Sequence, residues 1–141
     1  MHAHRETKHC NFRDIYFESG GESFDLHNCF DFAGFSYELS TRTLALRWLP
    51  NSYAPPVQHR ELYIELARVF HLSASPRDPA MPFTEDICLH SAGFLPPEAP
   101  TMQSGASDAP PNWHYVFTFT SGFILRVGAE TLLCRIEPVP K

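Results

Sequence analysis

Alternating apolar and polar residues along the chain predict short β-strands. The clearest case is residues 43–50, where Leu44, Leu46 and Trp48 recur at every second position with Arg47 on the opposite parity. Because strand side chains point alternately to opposite faces, this spacing predicts one buried and one exposed face. Other strand-like runs occupy 15–19, 23–34, 35–40, 114–120, 123–128 and 131–137.

The last third of the chain predicts a meander of three strands, with short turns at Ser121–Gly122 and Ala129–Glu130. Connections of this length cannot make a parallel crossover, so the pairing is expected to be antiparallel. In this meander Cys134 is expected to face the core together with Leu132 and Ile136, and Arg126 is expected to face away from it.

Two segments allow more than one interpretation. Residues 61–74 fit period 2 through Leu62, Ile64 and Leu66, which favours a strand, although a helical stripe also fits. Residues 84–93 suggest a short helix capped by Thr84, and a strand over 86–91 is the alternative.

These elements together predict an all-β protein, a single antiparallel β-sandwich or open barrel of about seven to nine short strands with at most one or two short helices. The expected organisation is a flexible N-terminus over residues 1–11 and one β domain over 12–141. A polar, proline-rich loop without periodicity is expected at 95–112.

Composition supports a β fold and limits the partners. Aromatic residues make up 13% of the chain and charged residues 19%, below the average of about 25% for a domain. The net charge is −5 and no Lys/Arg cluster exists, so no nucleic-acid partner is expected. Between Arg13 and Arg42 the only ionised side chains expected at neutral pH are Asp14, Glu18, Glu22, Asp25, Asp31 and Glu38.

No apolar segment has the pattern of a signal peptide or the length of a membrane span, so a cytoplasmic chain with no membrane partner is expected. The cysteines at positions 10, 29, 88 and 134 are widely spaced and form no CxxC pair. In a reducing compartment they are expected to be thiols.

The stretch LHNCFDF at 26–32 raises the question of a metal site, because a strand would put His27, Cys29 and Asp31 on one face. Steps of about 7 Å along that face make convergence of all three on one ion awkward. A half-exposed strand face with Phe30 and Phe32 buried behind it is favoured, and no metal or other cofactor is expected.

No sequence pattern for catalysis is present. There is no GxSxG elbow, GxGxxG, Walker A or EF-hand motif. Glu85 and Asp86 are adjacent acids, but a helix dipole accounts for them if they begin a helix. Trp113 follows two prolines and is expected either to plug the end of the sandwich or to stand at an interface.

Three segments carry a resemblance to a known class of proteins: DLHNCFDFAGFSYELSTRTLALRW, ELYIELARVFHLSASPRDPAMPFTED and YVFTFTSGFILRVGAETLLCRI. In this order of strands and turns the chain resembles small bacterial all-β proteins of the immunity type in polymorphic toxin systems, and related uncharacterised domains. The resemblance covers most of residues 12–137. It implies a non-enzymatic domain that binds one protein partner.

The leading hypothesis is therefore a non-catalytic protein-binding domain, an immunity protein that neutralises a cognate toxin through an acidic and aromatic face. The partner-binding candidates are Glu18, Glu22, Asp25, Asp31, Glu38, Glu85, Asp86 and Trp113. An alternative is a small-molecule- or metal-binding barrel, enzymatic or not, lined by His27, Cys29, Asp31 and His114. A homodimer that pairs exposed strand edges is a third hypothesis.

Overall fold

The computed structural model describes residues 10–99, 110 and 112–139. Within these residues the chain forms nine strands and two short 3₁₀-helices. The strands are β1 (Asn11–Arg13), β2 (Tyr16–Ser19), β3 (Glu22–Asp25), β4 (Phe30–Glu38), β5 (Thr43–Pro50), β6 (Arg60–Ser75), β7 (Leu89–Leu95), β8 (His114–Phe119) and β9 (Ile124–Pro138). The 3₁₀-helices are Pro56–Gln58 and Phe83–Ile87.

The strands form two antiparallel sheets. Strands β1, β2 and β3 make a small sheet in that order, and the other six make a curled sheet in the order β4-β5-β6-β9-β8-β7. A single bridge between Asp14 and Ala92 links the end of β1 to β7. The predicted all-β antiparallel architecture, with its strand number and short helices, is confirmed.

The core lies between the small sheet and the concave face of the large one. Phe12, Phe17 and Phe24 of the small sheet are fully buried, as is Trp48 of β5. The Phe12 ring contacts that of Phe117 edge-on, with 4.9 Å between centroids. The predicted inward face of β5 is thus confirmed, because Leu44, Leu46 and Trp48 all have no exposed surface.

The stretch at 26–32 is not one strand, which corrects the prediction. Strand β3 ends at Asp25, and its carboxylate accepts hydrogen bonds from the backbone N–H groups of His27 and Asn28. This local capping closes a turn over 26–29 before β4 begins at Phe30. His27 and Cys29 therefore lie in a turn, whereas Asp31 lies in β4.

The predicted turn at Ala129–Glu130 is wrong. Strand β9 runs unbroken from Ile124 to Pro138 and pairs with β6 along most of its length. The alternation changes phase on both strands at this point, since Leu66 and Val69 of β6 are both buried although three positions separate them, and they pair with Leu132 and Ala129 of β9. Arg68 adopts a φ of 56° on β6, and its guanidinium lies 3.3 Å from the carboxylate of Glu130. The change in the hydrophobic pattern was real, but it coincides with the irregular backbone at Arg68 in a continuous strand pair and not with a turn.

The two ambiguous segments are resolved by the structure. Residues 60–75 form a strand, with a register shift between Val69 and His71. The segment around 84–93 divides into the 3₁₀-helix Phe83–Ile87 and strand β7. Thr84 is not the cap, since the residue preceding this helix is Pro82 and no side chain caps it.

The predicted N-terminal segment and proline-rich loop fall largely outside the described residues, which omit 1–9, 100–109 and 111. Asn11, assigned to the N-terminal segment, belongs to β1. Leu95, assigned to the loop, is the last residue of β7. No helix in the described parts of the chain has the length and apolar character needed to cross a bilayer.

Candidate functional site

A groove of about 600 Å³ opens beside β4. Its walls are mostly apolar, and two of its large hydrophobic side chains are substantially exposed: Phe35 at 44% and Ile87 at 40%. The Phe35 ring lies nearly parallel to that of Phe123, with 6.2 Å between centroids. The lining residues, called here the groove, are Phe32, Ala33, Gly34, Phe35, Pro76, Arg77, Asp86, Ile87 and Phe123.

A β-bulge in β4 places the aromatic wall of the groove. Phe32 pairs with Trp48 and Gly34 with Arg47, so Ala33 is an extra residue between them. In a regular strand, residues three positions apart point to opposite faces. The extra residue instead puts Phe35 on the same face as Phe32. Gly34 has a φ of 136°, a backbone conformation that residues with a side chain rarely adopt, so a glycine is required there.

Arg77 fixes the conformation of the segment that forms one rim of the groove. Its Nε donates to the Asp86 carboxylate at 2.8 Å, and its Nη2 donates to the carbonyls of Met81 and Pro82. The guanidinium also lies over the Phe83 ring, 4.8 Å from its centroid. Hydrogen bonds from Arg77 and Ser121 lower the pKa of Asp86, so this carboxylate is charged at neutral pH.

Beside the groove, the charges of three carboxylates act on the thiol of Cys88. Burial raises the pKa of Cys88, and the charges of Glu85, Asp31 and Asp25 raise it further. We call Asp25, Asp31 and Glu85 the acidic junction. It adjoins the groove along the chain, because Glu85 precedes Asp86 and Asp31 precedes Phe32.

Hydrogen bonds hold the acidic junction in place. The Asn51 side-chain amide donates to Asp31 at 3.2 Å, and the Thr120 hydroxyl donates to Glu85 at 2.9 Å. The Asn28 amide donates to Asp25 at 2.9 Å. Each carboxylate is only partly buried, so the cluster presents negative charge to solvent on a fixed scaffold.

The junction also contains a cysteine–histidine contact that joins two distant parts of the chain. The Cys88 sulfur lies 3.3 Å from Nδ1 of His27, and the same nitrogen lies 2.7 Å from the Leu89 carbonyl. A carbonyl can only accept, so Nδ1 carries the proton and is not a base for the thiol. With its pKa raised, Cys88 is held as a neutral thiol, which is the opposite of an activated nucleophile.

The other partner-binding candidates lie in separate settings. Glu18 pairs with Arg13 within the small sheet, and Glu22 of the small sheet pairs with Arg60 of β6. Glu38 ends β4 and accepts a hydrogen bond from Thr41 in the β4–β5 turn. Trp113 is half-buried before β8, and its backbone N–H donates to Pro110. No described contact connects these residues to the groove.

The proposed lining of a metal-binding barrel is not assembled in one place. His27 contacts Cys88 and Leu89, whereas His114 stacks on His71 with 4.3 Å between ring centroids. Cys29 lies near the carbonyl of Tyr53. Among the residues that the structure describes, no group of three or more His, Cys, Asp or Glu side chains is arranged to hold a metal ion.

His71 and His114 belong to a second polar cluster on the convex side of the large sheet. Arg126 is only 6% exposed, and its Nε donates to Nδ1 of His114 at 2.9 Å. Its Nη atoms donate to the carbonyls of Pro96, Pro97 and Ala99. Burial, followed by the neighbouring His71 and Arg126, lowers the pKa of His114 to about 4. We call His71, His114 and Arg126 the cationic cluster.

Sequence reasoning missed Phe35, Arg77, Ile87 and Phe123 as site residues. The signal for Phe35 was the Ala33–Gly34 pair within an aromatic strand, which is typical of a bulge. For the other three no local signal exists, because the groove forms only when the segment 76–87 packs across β4.

These features define a mainly β protein with an acidic and apolar surface at the open edge of a curled sheet. Searches against protein-family models, curated proteins and solved structures find no match to this chain.

Proposed function

We propose that this chain is a non-catalytic protein-binding domain whose binding face is the groove together with the acidic junction. The observation that carries the proposal is the meeting of exposed aromatic and aliphatic side chains with fixed carboxylates on one side of the molecule. Protein interfaces commonly combine apolar anchors at the centre with charged groups that orient the partner.

The proposed partner segment has one apolar side chain flanked by lysines or arginines. The apolar side chain fits between Phe35 and Ile87, which leave unfilled surface in the groove. The flanking cations fit the acidic junction, and the net charge of −5 favours a basic partner at longer range.

Within this proposal the partner is a cognate toxin, as the resemblance to immunity proteins implies. The domain would act by covering a basic substrate-binding surface of that toxin. The cytoplasmic location expected from the sequence forms part of the proposal, and cell fractionation with an antibody against the chain would test it.

The experiment is calorimetric titration of the full chain with the purified product of the neighbouring gene. Phe35→Ala and the double variant Asp31→Asn/Glu85→Gln are each expected to weaken binding at least about tenfold, because they remove an anchor and two charges. The amide replacements keep the hydrogen-bond acceptors, so the fold is preserved. Raising the salt concentration should weaken the wild type more than the double variant.

Matched controls come from acids and aromatics outside the face. Glu38→Gln removes one charge, and Tyr53→Ala removes a ring that is 80% exposed but does not line the groove. Both should bind within about twofold of the wild type. Absence of binding to the neighbouring gene product, or equal losses in the controls and the face variants, would refute the proposal.

A second candidate function is supported by the groove alone. A volume of about 600 Å³ with mainly apolar walls suits a small aromatic ligand without strong charge. Titration with the fluorescent apolar dye Nile red would test this. Saturable binding that Phe35→Ala abolishes and Tyr53→Ala retains supports a ligand pocket, and non-saturable binding excludes one.

A further inference from the structure

Two cysteines that are far apart in sequence meet in the structure. The sulfur atoms of Cys10 and Cys134 lie 2.6 Å apart, although 124 positions separate the residues. Non-bonded heavy atoms settle at about 3.5–4.0 Å, so this is a very close approach of two sulfurs.

The fold itself brings them together. Cys134 pairs with Ile64 and is 3% exposed on the core side of β9. Cys10 immediately precedes β1, where Asn11 pairs with Glu18, so Cys10 lies beside Ser19 of β2. The Ser19 hydroxyl is 3.6 Å from both sulfurs, which places all three groups in one small pocket between the sheets.

From this contact we infer that Cys10 and Cys134 form a reversible disulfide when the protein meets a low-molecular-weight disulfide such as oxidised glutathione. The described contacts of the other two cysteines are of a different kind: Cys29 lies near a backbone carbonyl, and Cys88 lies near His27. The modification site is therefore specific to one pair.

The reaction balances as two successive exchanges. Cys10 is the more exposed of the two, so its thiolate attacks one sulfur of oxidised glutathione and releases one glutathione thiolate. The Cys134 thiolate then attacks the Cys10 sulfur and releases the second glutathione. In total two protein thiols are oxidised to one disulfide, one glutathione disulfide is reduced to two thiols, and the two protons are transferred to the released thiolates.

The bond would join the two sheets covalently. It would link the residue before β1 to the strand at the centre of the large sheet, and so enclose most of the chain in one loop. A cross-link that closes a long loop restricts the unfolded state strongly and therefore stabilises the folded state. The inference does not depend on the proposed partner binding.

The experiment uses the full chain, incubated with either excess oxidised glutathione or dithiothreitol at the same pH. Thiol titration after unfolding should find four thiols in the reduced sample and two in the oxidised one. Proteolysis with mass spectrometry should identify one cross-linked peptide that contains Cys10 and Cys134. The oxidised sample should melt roughly 10 °C higher.

Two single variants separate the specific bond from general oxidation. Cys10→Ser should abolish both the cross-link and the difference in melting temperature. The matched control Cys29→Ser should retain both. If a variant fails to fold, the wild-type peptide map alone decides the question. Four remaining thiols, a cross-link between other cysteines, or stable glutathione adducts in place of a cross-link would overturn the inference.

Discussion

His27 and His114 use the same ring nitrogen in opposite ways. In the acidic junction, Nδ1 of His27 donates a hydrogen bond to the Leu89 carbonyl at 2.7 Å. In the cationic cluster, Nδ1 of His114 accepts one from Arg126 at 2.9 Å. The partner that each ring meets decides where its proton lies, because a carbonyl only accepts and a guanidinium only donates.

The surroundings of the two sites differ in charge as well. In the junction, burial raises the pKa of the Cys88 thiol, and the charges of Glu85, Asp31 and Asp25 raise it further. In the cluster, burial and two basic neighbours, His71 and Arg126, lower the pKa of His114 to about 4. Each environment thus favours the neutral form of its titratable group. The carboxylates of the junction present negative charge to solvent. In the cluster, the positive charge is engaged in hydrogen bonds inside the protein.

The largest expected effect comes from breaking the cationic cluster. Arg126→Met keeps much of the side-chain volume but removes the guanidinium donors to His114 and to the carbonyls of Pro96, Pro97 and Ala99. Buried acceptors left without donors cost about 2–4 kcal/mol in the free energy of unfolding, which urea denaturation measures. Arg13→Met, at an exposed ion pair with Glu18, should cost about 0.5 kcal/mol or less. Similar losses in the two variants would contradict the structural role of the cluster.

A smaller effect is expected from acid. The pKa of His114 is about 4 in the folded chain and 6.5 for an ordinary histidine, so between these values the unfolded chain binds the extra proton. The contribution of His114 to the free energy of unfolding is therefore fully present above pH 6.5. It is lost, by on the order of 2–3 kcal/mol, as the pH drops through this window. The lowered pKa of His71 acts in the same direction. Urea titrations at several pH values measure the slope.

His114→Gln isolates this effect, because glutamine keeps an acceptor for Arg126 but does not titrate. The variant should lose most of the slope between pH 6.5 and 4. The lowered pKa values of Glu18 and Asp86 make both proteins less stable at still lower pH, so the difference between the two proteins is the quantity to compare. An unchanged slope in the variant would show that His114 is not the group responsible.

The smallest expected effect is on the reactivity of the Cys88 thiol in the acidic junction. Because its pKa is raised, Cys88 should react with iodoacetamide at pH 8 several-fold more slowly than the same cysteine in the unfolded chain. Glu85→Gln removes one neighbouring anion and should speed the reaction about two- to threefold. Quantitative peptide mass spectrometry follows the rate, and Glu38→Gln is the control. A slower reaction in Glu85→Gln would contradict the electrostatic argument.

Strands with uninterrupted alternation could be predicted closely from the sequence. The bounds of β5 match the predicted run at 43–50, and β8 ends within one residue of the prediction. Predictions failed where a long-range partner or a side chain changed the backbone. The Asp25 carboxylate closes a turn that ends β3, and pairing with β6 on both sides of Glu130 continues β9 past the predicted turn.

The candidate site was predictable only in part. Asp25, Asp31, Glu85 and Asp86 were candidates from the sequence; Asp86 lines the groove, and the charges of the other three act on Cys88. Glu18, Glu22, Glu38 and Trp113 were candidates as well, yet no described contact brings them there. Acid content along a segment does not reveal which carboxylates share a surface, because that depends on where the strands pair.

The sequence by itself determined the β class, the buried face of each alternating strand and the excess of acidic residues, because these depend on local periodicity and composition. Only the tertiary structure decided the meetings of His27 with Cys88, of Arg126 with the 96–99 segment, and of Cys10 with Cys134. Such contacts arise when the strand order 4-5-6-9-8-7 and the packing of the small sheet bring distant segments together. No local pattern encodes them, since the same alternation is compatible with many strand orders.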